Sequence, residues 1–244
     1  MAVMVIEDGI QSGLIGPSFR RRRPGPETEL VDWFLDAWPV KTPKGCRITV
    51  FREPRLESGF PDLVLVVWDV EAAQRWRPVR AKLNQLDMRL MHYLLHAGGR
   101  TLNAIADVFS SRAKKSLDRL QEAGMVKKSG EEWKPLRLSQ VYAVKSIVAI
   151  EAKISDWPVA IEQASLNTWF ASLSYVLVPR IPRKSDILRE ASTRGVGVWT
   201  KCERPKPCAL PATRRYPLSY ASLLFNEWTC HHFWNTQKEP SGSP

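Results

Sequence analysis

Two apolar, strand-like runs carry charge where a buried strand should carry none. They are Gly59-Phe60-Pro61-Asp62-Leu63-Val64-Leu65-Val66-Val67 and Ser146-Ile147-Val148-Ala149-Ile150-Glu151-Ala152-Lys153. A carboxylate or an ammonium group among β-branched residues is costly unless the charges serve one another or a metal. In a strand, residues i and i+2 share a face, so Glu151 and Lys153 point the same way while Ala152 turns back. Asp62 on the first run adds a second carboxylate. Hard oxygen donors beside an ammonium group are what metal-assisted phosphodiester hydrolysis uses. Taken alone, an E-x-K pair reads as an ion pair on an exposed sheet face, worth about 0–1 kcal/mol.

The flanking segments supply a frame for these two runs. After Pro26, the spacing of Leu30, Val31, Phe34 and Trp38 predicts a helix whose buried face also carries Glu27, whereas Glu29 falls elsewhere on the wheel. An ordinary first-turn glutamate favoured by the helix dipole is the other reading of Glu27. Residues 47–51 and 61–68 read as two strands of a meander with Gly59 in the turn between them. Ser155 or Asp156 can cap a further helix that tolerates Pro158 in its first turn and is packed down by Ile161, Ala164, Leu166 and Trp169. A strand over 173–179, a helix over 184–191 and a strand over 195–200 follow. Residues 203–217 read as an irregular connection, 218–234 as a short terminal helix, and 235–244 as a disordered tail.

In this order, Glu27 in Pro26-Glu27-Thr28-Glu29-Leu30-Val31-Asp32-Trp33-Phe34, Pro61-Asp62, Glu151-Ala152-Lys153 and the helix bearing Gln163 resemble the PD-(D/E)XK, or restriction-endonuclease-like, nuclease superfamily. The match covers roughly residues 26–70 and 146–200. The stretch from Glu151 through Ser155-Asp156-Trp157 to Tyr175-Val176-Leu177-Val178-Pro179 is most similar to archaeal and bacterial members. The resemblance implies an α/β fold, a mixed sheet flanked by helices, with Asp62, Glu151 and the backbone carbonyl of Ala152 on Mg²⁺ (or Mn²⁺ in its place). It further implies that Glu27 holds a metal-bound water or second ion, that Lys153 orients the attacking water or stabilises the transition state, and that Gln163 positions substrate or water.

Between the matching motifs the periodicity becomes helical: 83–97, a Gly98-Gly99 stop, 101–109, 110–123, then a β-like tail turning at Ser129-Gly130. Three helices followed by such a hairpin resemble a winged helix-turn-helix domain, here an insertion over 81–139. The resemblance places Arg112, Lys114, Lys115 and Ser116 at the N-terminal end of the helix that enters the major groove, with Lys127 and Lys128 beside them on the wing. Protein docking or dimerisation is the other use of such modules.

The formal charge of +11, from 36 basic against 25 acidic residues, makes a polyanion the leading partner, and duplex DNA the specific expectation. Residues 1–25, with Arg20-Arg21-Arg22-Arg23, read as a flexible basic arm available to phosphates, or equally as a solvated tail. The discontinuous core is then expected over 26–80 and 140–234. No apolar run of about 18 residues and no basic-then-apolar leader is present, so a cytoplasmic protein is expected. Cys46, Cys202, Cys208 and Cys230 are too few for a disulfide scaffold. A zinc reading recruits Cys202, Cys208, Cys230 and either His231 or His232, but the Cys202/Cys208 gap is loose, which favours reduced structural thiols. Metal-dependent endonuclease action on DNA is the leading expectation; a DNA-binding regulator with a nuclease fold, or a nuclease for RNA or branched DNA, are the alternatives. Cutting both strands usually takes two active sites, which makes a homodimer a candidate assembly.

Overall fold

The computed structural model describes residues 4–7, 17–21, 23–37, 42–181, 186–201 and 208–238. In chain order they form β1 (Met4–Ile6), α1 (Pro26–Ala37), β2 (Cys46–Arg52), β3 (Leu63–Asp69), α2 (Val70–Gln74), α3 (Gln85–Ala97), β4 (Arg100–Thr101), α4 (Leu102–Phe109), α5 (Ala113–Glu122), β5 (Val126–Ser129) and β6 (Glu132–Pro135). They continue with α6 (Leu138–Val141), β7 (Val144–Ala152), α7 (Trp157–Asn167), β8 (Leu173–Val178), α8 (Ile187–Thr193), β9 (Gly197–Thr200), β10 (Cys208–Leu210) and α9 (Tyr220–Lys238). The chain divides into two compact units: one holds the described residues through Val67 together with Lys145–Pro217, the other Trp68–Val144 and the residues from Leu218.

The first unit is α/β, built on a mixed seven-stranded sheet in the order β1-β2-β3-β7-β8-β9-β10. β1 runs parallel to β2, and β7, β8 and β9 are mutually parallel, whereas β10 is antiparallel to β9. Strict alternation along β8 sends Tyr175 and Leu177 to one face and Val176 and Val178 to the other. On the first face, Leu30, Val31 and Phe34 of α1 pack against Val50, Leu65, Ile150 and Trp199. On the second, Ala160, Ile161 and Ala164 of α7 and Ile187 and Ala191 of α8 cover Val176 and Val198. With both faces buried, the central strands read as continuous apolar runs.

Trp199 is sandwiched, its ring 4.8 Å from Phe34 and 4.0 Å from Tyr175. Gly197 is required opposite Tyr175, because a Cβ there would stand 2.2 Å from the tyrosine ring.

Where the described residues fall within the expected basic arm, they are ordered into the sheet region. Met4–Ile6 pairs with Thr49–Phe51, since the outer edge of β2 offers unpaired backbone groups to a short β-prone run. Phe19 bridges Pro54, and Arg55 N–H donates to Ser18 O at 2.8 Å. Arg22, Trp38 and Lys184 lie outside the described residues.

The second unit differs in extent from the 81–139 expected. Its central element is α9, where Ala221 through Cys230 are buried all round the helix and not along one stripe. Such a helix must satisfy its own polar groups. Glu227 does so by accepting from Trp76 Nε1 at 2.8 Å and Arg80 Nε at 2.9 Å, while Asn226 accepts from Ala143 N–H at 2.7 Å. α9 therefore belongs with residues 68–144 and not with the sheet unit, and it carries residues 235–238 of the expected disordered tail; 239–244 lie outside the described residues.

Around α9, α3 opens on a capping box of Asn84 and Asp87, and the helix expected over 110–123 breaks into a 3₁₀ turn, Ser110–Arg112, followed by α5. A three-stranded antiparallel sheet in the order β4-β6-β5 completes the unit, with Lys128 opposite Trp133 and Gly130 at φ 62 in the turn. Among the described residues, no helix is long and apolar enough to cross a membrane.

Candidate active site

The three charged residues of the two apolar runs converge where β7 ends and β3 begins. Glu151 and Ala152 close β7, Lys153 follows it, and Asp62 stands one residue before β3, the next strand in the sheet. Asp62 Oδ2 accepts from the backbone N–H of Ala152 at 2.7 Å. Lys153 N–H donates to Leu177 O on β8 at 3.0 Å, so alternation along the strand directs the N–H and C=O of Ala152 to the opposite side, that of Asp62. The Ala152 carbonyl expected to assist a cation therefore points to the side of Asp62.

Glu151 is 5% exposed, and its Oε1 accepts from Asn167 Nδ2 at 2.6 Å. Burial raises the Glu151 carboxyl to about 8, and repulsion from Asp62 adds to it, against the pull of Asn167, Lys153 and Arg20. Asp62 is raised to about 6, again by burial first, opposed by the Ala152 N–H and Lys153 and reinforced by Glu53 and Glu27. Burial and their mutual repulsion both disfavour the ionised form of the pair.

Lys153 Nζ lies 3.0 Å from Glu27 Oε2, with side-chain exposures of 22% and 46%. An exposed pair contributes about 0–1 kcal/mol, whereas burying Leu30, Val31 and Phe34 contributes roughly 1.5–3 kcal/mol each. Apolar packing thus seats α1, and Glu27 orients the ammonium group.

Gln163 does not reach the site. It is exposed on α7, and the amide that meets Glu151 belongs to Asn167, one turn further along, on the inward face with Ala160 and Ala164 and only 3% exposed. Helical phase explains the exchange: Ala160 and Ala164 take the inward positions nearest Gln163.

Glu53 is a second residue that sequence reasoning missed. It has φ 47 without being glycine, a backbone conformation that costs on the order of 1 kcal/mol or more. Its N–H donates to Asp62 O at 3.1 Å, its C=O accepts from Arg20 N–H at 3.1 Å, and its carboxylate is bonded to Arg20 Nε. Arg20 Nη2 stands 3.8 Å from Asp62 Oδ1. A cavity of about 570 Å³ opens here, walled by Arg20, Arg21, Arg23, Glu27, Glu53 and Asp62 among others. Asp62, Glu27 and Glu53 are the carboxylates in its wall, and Glu151 and Lys153 are not part of it.

Among the described residues, no three His, Cys, Asp or Glu side chains converge tightly enough to hold a metal by themselves. Mg²⁺ does not need three, because it is commonly held by one or two carboxylates, waters and substrate phosphates. Asp62, Glu151 and the Ala152 carbonyl are hard oxygen donors of that kind, and the mutual repulsion of the two carboxyls would be relieved by a cation. The donor set fits. For zinc, Cys202 lies outside the described residues, and Cys230 is a buried thiol on α9 whose pKa is pushed up by burial.

In the second unit, Arg112, Lys114, Lys115, Lys127 and Lys128 are exposed, with Lys114 paired to Asp118 and its Nζ 5.8 Å from the centre of the Trp133 ring. Ser116 is the exception. It is fully buried, donates to Asp87, and shares that carboxylate with Arg119 Nε at 2.8 Å, so it locks α5 to α3 and cannot meet a base edge. The phase of α5 requires this, since Ala113, Leu117 and Leu120 line the same inward face.

Comparison with protein-family models, with curated proteins and with solved structures finds no match to this chain.

Proposed function

We propose that this chain is a metal-dependent endonuclease of the PD-(D/E)XK type that hydrolyses DNA phosphodiester bonds. The observation that carries the reading is the convergence of Asp62, Glu151 and Lys153 at adjacent strand ends, with both carboxyls raised by burial and Glu151 raised further by Asp62. An ion pair kept for stability would not place two like charges together.

Asp62, Glu151 and the Ala152 carbonyl would hold Mg²⁺, or Mn²⁺ in its place, and the bound cation would supply the charge that polarises a phosphate and lowers the pKa of an attacking water. The protein's own groups do the rest. Asn167 fixes Glu151 with its carboxylate turned to the site, and the Ala152 N–H does the same for Asp62. Lys153, held by Glu27, stabilises negative charge as it grows on the phosphate or orients the water. Gln163 has no part in this chemistry, and Asn167 takes the amide's place as a positioning residue.

The second unit supports a DNA-binding role. Its order α3, β4, α4, α5, β5, β6, with β4 pairing β6, resembles a winged helix-turn-helix. Arg112, Lys114 and Lys115 stand at the start of α5, and Lys127 and Lys128 on the strand leading to the hairpin turn. Two copies would provide one cut per strand. In binding assays on a labelled duplex, Arg112→Ala/Lys115→Ala is expected to lower the slope of log affinity against log salt by roughly 0.9 for each phosphate no longer neutralised. An unchanged slope would assign this unit to protein docking. Cleavage of linear, nicked, forked and single-stranded DNA with Mg²⁺ and with EDTA tests the activity itself; cutting in EDTA, or of RNA alone, would contradict it.

A further inference from the structure

The arginines that precede α1 are part of the same cavity wall as Asp62 and Glu27. Resting on the nuclease reading, we propose that Arg21 and Arg23 form a binding rim for the phosphodiester backbone of a nucleic-acid strand, beside the phosphate to be cut, and that Arg20 is the pin that holds this rim in place.

Backbone pairing and side-chain clamps order the segment. Residues 18–20 run antiparallel to 53–55, through the Phe19–Pro54 bridge and the backbone bonds Arg55 N–H to Ser18 O and Arg20 N–H to Glu53 O. Arg20 is then clamped between the Glu53 carboxylate and the Phe60 ring, 5.5 Å from the ring centre. Thr28 Oγ1, on the first turn of α1, donates to Arg23 O at 2.7 Å. The strained φ of Glu53 has a role in this arrangement, since one residue there bonds Asp62 on one side and Arg20 on the other.

The cations are not equivalent. Arg20 is bound to Glu53, and Arg52, also in the wall, is bound to Asp32 at 2.8 Å and Glu7 at 3.2 Å. Arg21 and Arg23 are exposed and have no carboxylate partner among the described residues. Two guanidinium groups without a carboxylate partner among the described residues, in the wall of a cavity that also presents Asp62, Glu27 and Glu53, fit an anion with oxygens on a repeating backbone, and the planar fork of arginine suits phosphate.

The test is fluorescence anisotropy of a labelled duplex of about 20 base pairs across a salt series in EDTA, followed by steady-state cleavage in Mg²⁺. Arg21→Ala/Arg23→Ala is expected to reduce the salt slope by roughly 1.8, at about 0.9 for each of two phosphates, and to raise KM with kcat held within a few-fold. Arg21→Lys/Arg23→Lys should keep most of the slope. Arg189→Ala/Arg194→Ala, which removes the same charge from α8 and the residue that follows it, should leave it unchanged. An unchanged slope and KM in the alanine variant, with wild-type cleavage intact, would overturn the rim and spare the nuclease. A reduced slope in a protein that cuts nothing would do the reverse. Failure of the wild type to bind DNA would overturn the rim.

Discussion

Replacing Lys153 by alanine is expected to lower metal-dependent cleavage by roughly 10²–10³-fold, the range seen when one preorganised charge stabiliser is removed from a transition state. Folding should hardly notice. The Lys153–Glu27 pair is partly exposed and contributes about 0–1 kcal/mol, and α1 is seated by Leu30, Val31 and Phe34. Duplex binding should also persist, because the exposed cations of α5 and β5 and of the cavity rim are untouched. The expected pattern is therefore a loss of kcat with little change in melting temperature or affinity, read from single-turnover kinetics, thermal melts and anisotropy. Equal turnover by the variant would remove Lys153 from the mechanism.

The second large effect concerns pH and Glu151. The Asp62 and Glu151 carboxyls move from ordinary values of 3.8 and 4.5 to about 6 and about 8, so both folded-state values lie above the unfolded ones. Groups shifted in this direction favour folding fully below about pH 4, and that contribution is lost as the pH rises through about 6 and then about 8. In a chelator, Glu151→Gln should flatten this decline and melt above the wild type at pH 8, by roughly 5 °C if about two kcal/mol are recovered. A cation requires the ionised carboxylates, so wild-type affinity for Mg²⁺ should climb across the same window. Titration calorimetry at pH 6 and pH 8 reads it directly. A wild type whose stability is flat with pH, and a variant that binds Mg²⁺ as tightly as its parent, would contradict this picture of the site.

Which parts of this site could be read from the chain follows from which signals are local. Asp62, Glu151 and Lys153 announce themselves because charge inside an apolar run is a conflict visible without coordinates. The alternation that predicts Glu151 and Lys153 on one face does not carry through, since β7 ends at Ala152, Glu151 turns to Asn167 of α7 and Lys153 turns to Glu27 of α1. Asn167 could not be found this way. It lies at the end of α7, where the phase set by Ala160 and Ala164 turns it inward and leaves Gln163 exposed, and its meeting with Glu151 depends on how the helix packs on the sheet. Glu53 leaves an equally faint trace, since a glutamate before Pro54 gives no hint of a left-handed backbone; if anything, a following proline biases against helical values.

Analogy with a recognition helix puts Ser116 at the DNA-facing end of α5, although the spacing of Ala113, Leu117 and Leu120 already places position 116 on the inward face. β1 and α9 owe their placement to long-range partners. Three residues pair with a strand more than forty positions away, and a helix buried on every side has no polar stripe to announce which unit it joins. Glu227 and Asn226 within that apolar stretch are the available hint, as buried polar groups that have to find Arg80, Trp76 and the 141–143 backbone.

The most direct measurement is cleavage of supercoiled and linear plasmid in Mg²⁺, Mn²⁺ or EDTA by the wild type and by Asp62→Ala side by side. A metal site built on Asp62 predicts cutting in either metal, none in EDTA, and loss of cutting in the variant while its DNA affinity remains. Cutting by Asp62→Ala at the wild-type rate would contradict it, as would a wild type that binds DNA tightly and cuts nothing in any metal.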